Sequence, residues 1–180
     1  MVILSNDLIK ELKNLTKEHL TFAEELLLKS DEELNKRLSD NSWSVLECLQ
    51  HLNLYGDFYL PEIKKRIESS STKTEKVFKS GWIGNYFAQS MLPKEKLNKM
   101  NTFKAMNPIN SALNKTTITE FIKQQQQFLD LLTASEHINL NKVKTSISIT
   151  KMIKLKLGDT FRIVIYHNKR HVLQAKKILS

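Results

Sequence analysis

The 180-residue chain has one cysteine, four glycines and three prolines, and each shortage removes a class of protein. Cys48 alone cannot make an internal disulfide and rules out a cysteine-based zinc finger, and it fits a reducing compartment. So few glycines and prolines argue against turn-rich sandwiches and barrels, and against glycine-loop nucleotide folds. No apolar run approaches the roughly 20 residues that span a bilayer. Met1 to Asp7 has no basic leader, so no signal peptide is expected. These absences point to a soluble, cytoplasmic protein with no membrane partner. With 41% hydrophobic and 26% charged residues the chain is expected to fold as one domain over residues 1–180, and its composition points to helices.

The net charge of +9 is unevenly spread. Residues 1–59 carry −5, whereas residues 142–180 carry +9, with ten Lys/Arg against a single Asp. That basic end could meet nucleic acid, with binding that weakens steeply in salt. There is no helix-turn-helix spacing, RNP-type aromatic motif or arginine-rich arm to support it, so nucleic acid is not the expected partner.

Hydrophobic periodicity predicts four long helices. The first, over about 6–29, carries Leu8, Leu12, Leu15, Phe22 and Leu26 at helical spacing. Residues 30–37 form an acidic turn with room for one helical piece. The second helix starts at Ser44, three residues before Glu47 in capping-box spacing, and Pro61 should kink or locally break it. Residues 69–115 read as a long connector, within which Gly81–Phe87 is a short helix or a lid. The third helix is predicted from Thr117, again with a capping partner at Glu120, to about Glu136; its Gln124–Gln127 tract reads as a solvated face. From Val143 to Leu157 the alternation of Ile153, Leu155 and Leu157 with Lys154 and Lys156 predicts an extended segment. Asp159 or Thr160 should cap a last helix that runs to Leu179. Four such segments with long crossovers make an all-α four-helix bundle the leading architecture.

The chemistry concentrates in that last helix. His167 and His171 stand at i and i+4, one turn apart on one face, where both imidazoles can reach a single metal ion. Arg162, Lys169, Arg170, Lys176 and Lys177 are expected on the opposite, charged side. The motif is weak alone, because two histidines hydrogen-bonded at a helix flank look the same. A third ligand must come from elsewhere. His51, beside the apolar stripe of the second helix, is the best candidate; His19 competes as a core-edge histidine, and His137 reads as a cation at a helix end. Cys48 could be a fourth ligand or a nucleophile, but a lone helical cysteine among apolar residues reads as an inert core thiol. Tyr55, one turn after His51, could present its hydroxyl to the site or simply pack. No Ser-His-Asp or nucleophile-elbow pattern is present.

Trp43-Ser44-Val45 through Gln50-His51-Leu52, with Tyr166-His167-Asn168-Lys169-Arg170-His171 and Gln174-Ala175, resembles the DinB-like (YfiT-like) superfamily. The extended Leu155–Thr160 segment before the last helix is similar in style. The resemblance implies an up-down-down-up four-helix bundle with one metal ion held by His51, His167 and His171, with Arg170 and Gln174 in supporting positions. Zinc and nickel both suit such a site. Asn168 departs from the Glu that similar sequences often carry there, which puts any carboxylate acid–base role at that position in doubt. Three neutral imidazoles leave an ion its Lewis acidity and an open position for water, a thiol or substrate. The expected function is a metal-dependent hydrolase or thiol-dependent S-transferase acting on a small electrophile, with a low-molecular-weight thiol as possible cosubstrate. Lys/Arg near the mouth would draw an anionic substrate, and a homodimer is implied. The alternative is a non-enzymatic, stress-associated bundle whose histidines are idle.

Overall fold

The helical periodicity is realised in a computed structural model that describes residues 1–93 and 102–180. Strand β1 (Val2–Leu4) leads into helix α1 (Ser5–Leu26), and a short helix α2 (Asp31–Asn35) precedes α3 (Val45–Glu68). Strand β2 (Val77–Lys79) and helix α4 (Trp82–Met91) follow, then α5 (Thr116–Ala134), strands β3 (Lys144–Ile147) and β4 (Thr150–Lys156), and α6 (Leu157–Leu179). Helices α1 and α3 each pack against both α5 and α6, which makes the four long helices a bundle. β1 pairs antiparallel with β2, and β3 with β4. Among the described residues no helix is long and apolar enough to cross a membrane.

The capping box at Ser44 forms as its spacing predicts. The Glu47 N–H donates to Ser44 Oγ at 3.2 Å, and the Ser44 N–H donates to Glu47 Oε2 at 2.8 Å. Pro61 lies inside α3 without ending it. The carbonyl deprived of its partner by proline belongs to Asp57, and both residues are exposed, so water can satisfy it. The predicted box at Thr117 does not form. α5 starts one residue earlier, and the Asn114 side chain takes the Thr116 N–H at 2.8 Å.

The connector is more ordered than its weak periodicity suggests. It contributes β2, α4 and a 3-10 turn at Lys104–Met106; its residues 94–101 lie outside the described residues. A buried ion pair within α6 holds the start of α4 through its remaining bonds. Arg162 Nη1 meets Asp159 Oδ1 at 3.1 Å, with both side chains at most 1% exposed. Asp159 also accepts from the Gly81 N–H at 2.8 Å and from the Ser80 hydroxyl, while Arg162 donates to Asn85 Oδ1 at 3.2 Å. Gly84 permits this approach, since a Cβ there would lie 2.5 Å from the Asp159 carboxylate. Two expectations are corrected by these bonds. Asp159 does not cap α6, which begins at Leu157 behind Lys156 without a side-chain cap, because its carboxylate is committed to α4. Arg162 is not on a solvated basic face, and neither is the buried Arg170; of that predicted set Lys176 and Lys177 are exposed and Lys169 is half-buried.

The glutamine tract is also corrected. Gln126 and Gln127 face solvent, but Gln124 and Gln125 are buried. Gln124 Nε2 donates to the Asn53 carbonyl at 3.2 Å and to Asp57 Oδ1 at 2.9 Å, and its amide occupies the space that a Cβ on Gly56 would need.

The core divides into two apolar clusters, one containing Leu12, Tyr59, Phe128 and Val164, the other Phe22, Leu52, Phe121 and Val172. Between them every long helix places buried polar side chains: Thr16 and His19 on α1, His51 and Asn53 on α3, Gln124 and Gln125 on α5, Asn168 and His171 on α6. A polar layer therefore crosses the bundle at the level of the histidines.

Removing one partner of a buried ion pair leaves the other charge desolvated and alone. Asp159→Ala should therefore lower the unfolding free energy by about 3–5 kcal/mol in urea titrations. A loss below about 1 kcal/mol would show that α4 is not held by this pair.

Candidate metal centre

His51 sits two turns beyond the Ser44 cap, so the capping box sets the phase at which its imidazole meets α6. On α6, His167 and His171 lie one turn apart on the same face. The three rings converge: their centroids are 4.7–4.9 Å apart pairwise. One ligand atom from each lies within 4.8 Å of the others, and His51 Nε2 and His167 Nε2 are 3.1 Å apart. The i, i+4 spacing and the choice of His51 thus lead to one place.

Neighbours fix how two of the rings present their lone pairs. His51 Nδ1 is 2.6 Å from the Met106 carbonyl, and His171 Nδ1 is 2.9 Å from Gln174 Oε1. Both partners are acceptors, so each Nδ1 carries the proton and donates, which leaves Nε2 unprotonated and facing the cluster. Gln174 thereby fills the supporting position expected of it. Trp43 packs against His51 and His171 with ring centroids at 4.6 and 5.5 Å, and its indole N–H donates to Asn107 Oδ1 at 3.1 Å. Tyr55 presents its ring edge to His51 and His167 at 5.0 and 4.9 Å.

Electrostatics favour neutral rings. Burial lowers His51 to a pKa of about 4 and His171 to about 3, and it lowers His167 well below the ordinary histidine value with help from the other two rings. Neutral imidazole is the form that binds metal. Two Nε2 lone pairs at 3.1 Å repel unless something positive lies between them. A proton can serve one pair of rings, whereas a cation can serve all three. For zinc–nitrogen bonds of about 2.0–2.1 Å at tetrahedral angles, ligand atoms sit roughly 3.3 Å apart. The His51–His167 pair is near that spacing, and the three-histidine donor set could hold a metal ion.

The profile of the DinB superfamily matches residues 8–175. The chain belongs to the DinB superfamily. No curated protein and no solved structure matches it. In this member of the superfamily the Asn168 amide donates to Gln125 Oε1 at 3.1 Å, so the residue that departs from Glu joins α6 to α5. The cluster itself contains no carboxylate.

The remaining candidates lie elsewhere. Cys48 is fully buried in the second apolar cluster, burial pushes its thiol pKa up, and it is not part of the histidine cluster, which is the behaviour of an inert core thiol. His137 closes a 3-10 turn after α5 and borders a groove with Lys10 and Lys13 of α1. His19 is deeper than a core-edge residue: it is 2% exposed, and its ring nitrogens make no well-formed hydrogen bond among the described residues. Burial, opposed by the neighbouring Gln125 side chain and reinforced by the charges of Lys169 and Lys176, lowers its pKa to about 3. Beside His167 lies a cavity whose lining, among the described residues, includes no Lys or Arg. Three contributors were missed from sequence: the Met106 carbonyl, Asn107 and the packing of Trp43. A backbone carbonyl leaves no signature; Trp43, directly before the cap, was the one visible signal.

Removing the Gln174 acceptor frees the His171 ring. Gln174→Ala should weaken divalent-ion affinity by about 10–100-fold in a competitive chelator titration while leaving the fold intact. His19 predicts a pH effect of definite sign. Its folded pKa of about 3 lies below the usual 6.5, so the unfolded chain binds more protons between those values, and stability is full above pH 6.5 and declines as pH falls toward 3. The His19→Leu protein should lose about 2 kcal/mol less than the parent between pH 8 and pH 5 in denaturant titrations. Parallel pH curves for the two proteins would contradict that account.

Proposed function

We propose that His51, His167 and His171 hold one divalent ion, zinc or nickel, and that the protein is a thiol-dependent S-transferase acting on a small electrophile. The observation that carries the reading is the convergence of three neutral imidazoles, one ligand atom of each within 4.8 Å of the others. When bound, the ion supplies Lewis acidity that lowers the pKa of an acid in its open position. The residues around it supply orientation and dryness. Met106 and Gln174 hold two rings in the ligating tautomer, and Trp43 and Tyr55 flank them with aromatic surface.

The choice of nucleophile follows from what the cluster lacks. There is no carboxylate in it to take a proton, and burial raises the Tyr55 pKa, so its hydroxyl stays protonated. A site with no base suits a nucleophile that ionises easily, and a thiol, with a pKa of about 8.5, needs far less help than water at about 15.7. Hydrolysis is the reaction of the same site with water as nucleophile, which a bound divalent ion brings to a pKa of about 7, and it is the alternative reading.

Protein purified without a histidine tag should contain, or take up on addition of zinc or nickel, one equivalent of metal. It should then accelerate conjugation of small electrophiles with a panel of low-molecular-weight thiols. His171→Ala should lose the metal and lower turnover by at least ~100-fold. No metal uptake by either protein, with equal turnover, would overturn the proposal and leave a helical bundle that acts through its surface.

A further inference from the structure

His167 belongs to two places at once. It contributes to the histidine cluster, and it also lines a cavity of about 60 Å³ that runs away from it between α3, α4, α6 and the β3–β4 hairpin. His167 as a residue is half-buried, whereas His51 and His171 are buried. Its walls are Tyr55 and Tyr59 from α3, Phe87 and Met91 from α4, and Ile147 and Leu155 from the hairpin. Among the described residues no charged side chain lines it. Its polar atoms are partly spent on each other, because the Ser148 N–H donates to Tyr59 Oη at 3.3 Å and the two hydroxyls lie 3.3 Å apart.

From this geometry we infer that the cavity is the specificity pocket for one reactant, and that it takes a short uncharged aliphatic group whose reacting atom lies at the histidine cluster. The inference rests on the proposed metal site for its direction, since it assigns the polar end of the reactant to His167 and the apolar end to the hairpin. Size sets the class. A dry cavity of about 150 Å³ takes the six carbons of benzene, so 60 Å³ holds a chain of about two or three carbons. A carboxylate there would lose its water without gaining a cationic partner among the described residues. The reactant is therefore a small alkyl thiol or alkyl-bearing electrophile, not one that carries its charge next to the reacting atom.

The pocket and the metal can be tested separately with linear alkanethiols from ethanethiol to hexanethiol. In cobalt-loaded protein, binding is read from the thiolate-to-cobalt absorption. In metal-free protein it is read from the methyl resonances of Ile147, Leu155 and Val164. Affinity should rise about fourfold per methylene up to about propanethiol and then level off. Phe87→Ala, at a half-buried position, should move the levelling point to longer chains. Met91→Lys should flatten the series while leaving cobalt uptake at one equivalent. Chain-length-independent affinity in both forms, or 3-mercaptopropionate binding as tightly as butanethiol, would overturn the pocket. Failure to take up cobalt would overturn the metal proposal instead, and the methyl resonances of the metal-free protein would then decide the pocket alone. If shifts there grow with chain length, the pocket stands; if they are flat, it falls.

Discussion

The buried carboxylate of Glu47 gathers donors from three parts of the chain. It takes the Ser44 N–H at the start of α3, two guanidinium donors of Arg37 from the segment before it, and the Asn110 N–H from the connector after α4. Arg37 in turn donates to Asn110 Oδ1 at 2.6 Å. Asn110 has φ at 65°, a left-handed conformation that asparagine tolerates better than most residues. This cluster holds the connector against the beginning of α3, where Met106 and Asn107 then reach His51 and Trp43. The orientation of the first imidazole thus depends on an acid that touches no histidine.

What was legible in the sequence was what is local. The Ser44–Glu47 box and the His167–His171 pair depend on spacings of three and four residues within a helix, and both form. The choice of His51 needed the family resemblance as well, because His19 has the same apolar surroundings on its own helix. Where local reasoning failed, another partner had taken over the group. The Thr117 N–H that a box there would have used donates to the Asn114 carbonyl three residues earlier, and the start of α4, far away in sequence, captured the Asp159 carboxylate that would have capped α6. The solvated reading of Gln124 failed because Gly56, on another helix, leaves a hollow of the size of an amide. Weak periodicity between residues 69 and 93 hid β2, whose partner β1 is more than seventy residues earlier.

The unequal charge along the chain looks different once folded. Much of the positive charge expected on α6 is withdrawn from solvent: Arg162 is paired with Asp159, and Arg170 is buried. Desolvation acts on the histidines in the same direction, keeping them uncharged. A region rich in basic residues therefore surrounds a neutral donor set.

The polar layer across the bundle has a cost that the two apolar clusters absorb. At the height where a bundle optimised only for folding would stack leucine and phenylalanine, this chain spends eight buried polar side chains, among them His19, whose ring nitrogens make no well-formed hydrogen bond among the described residues. Exchanging that layer for aliphatic residues would merge the clusters into one continuous interior and give a hotter-melting scaffold with no cradle for an ion. Evolution toward thermal tolerance in this chain is thus channelled to the two ends of the bundle, where repacking leaves the middle untouched.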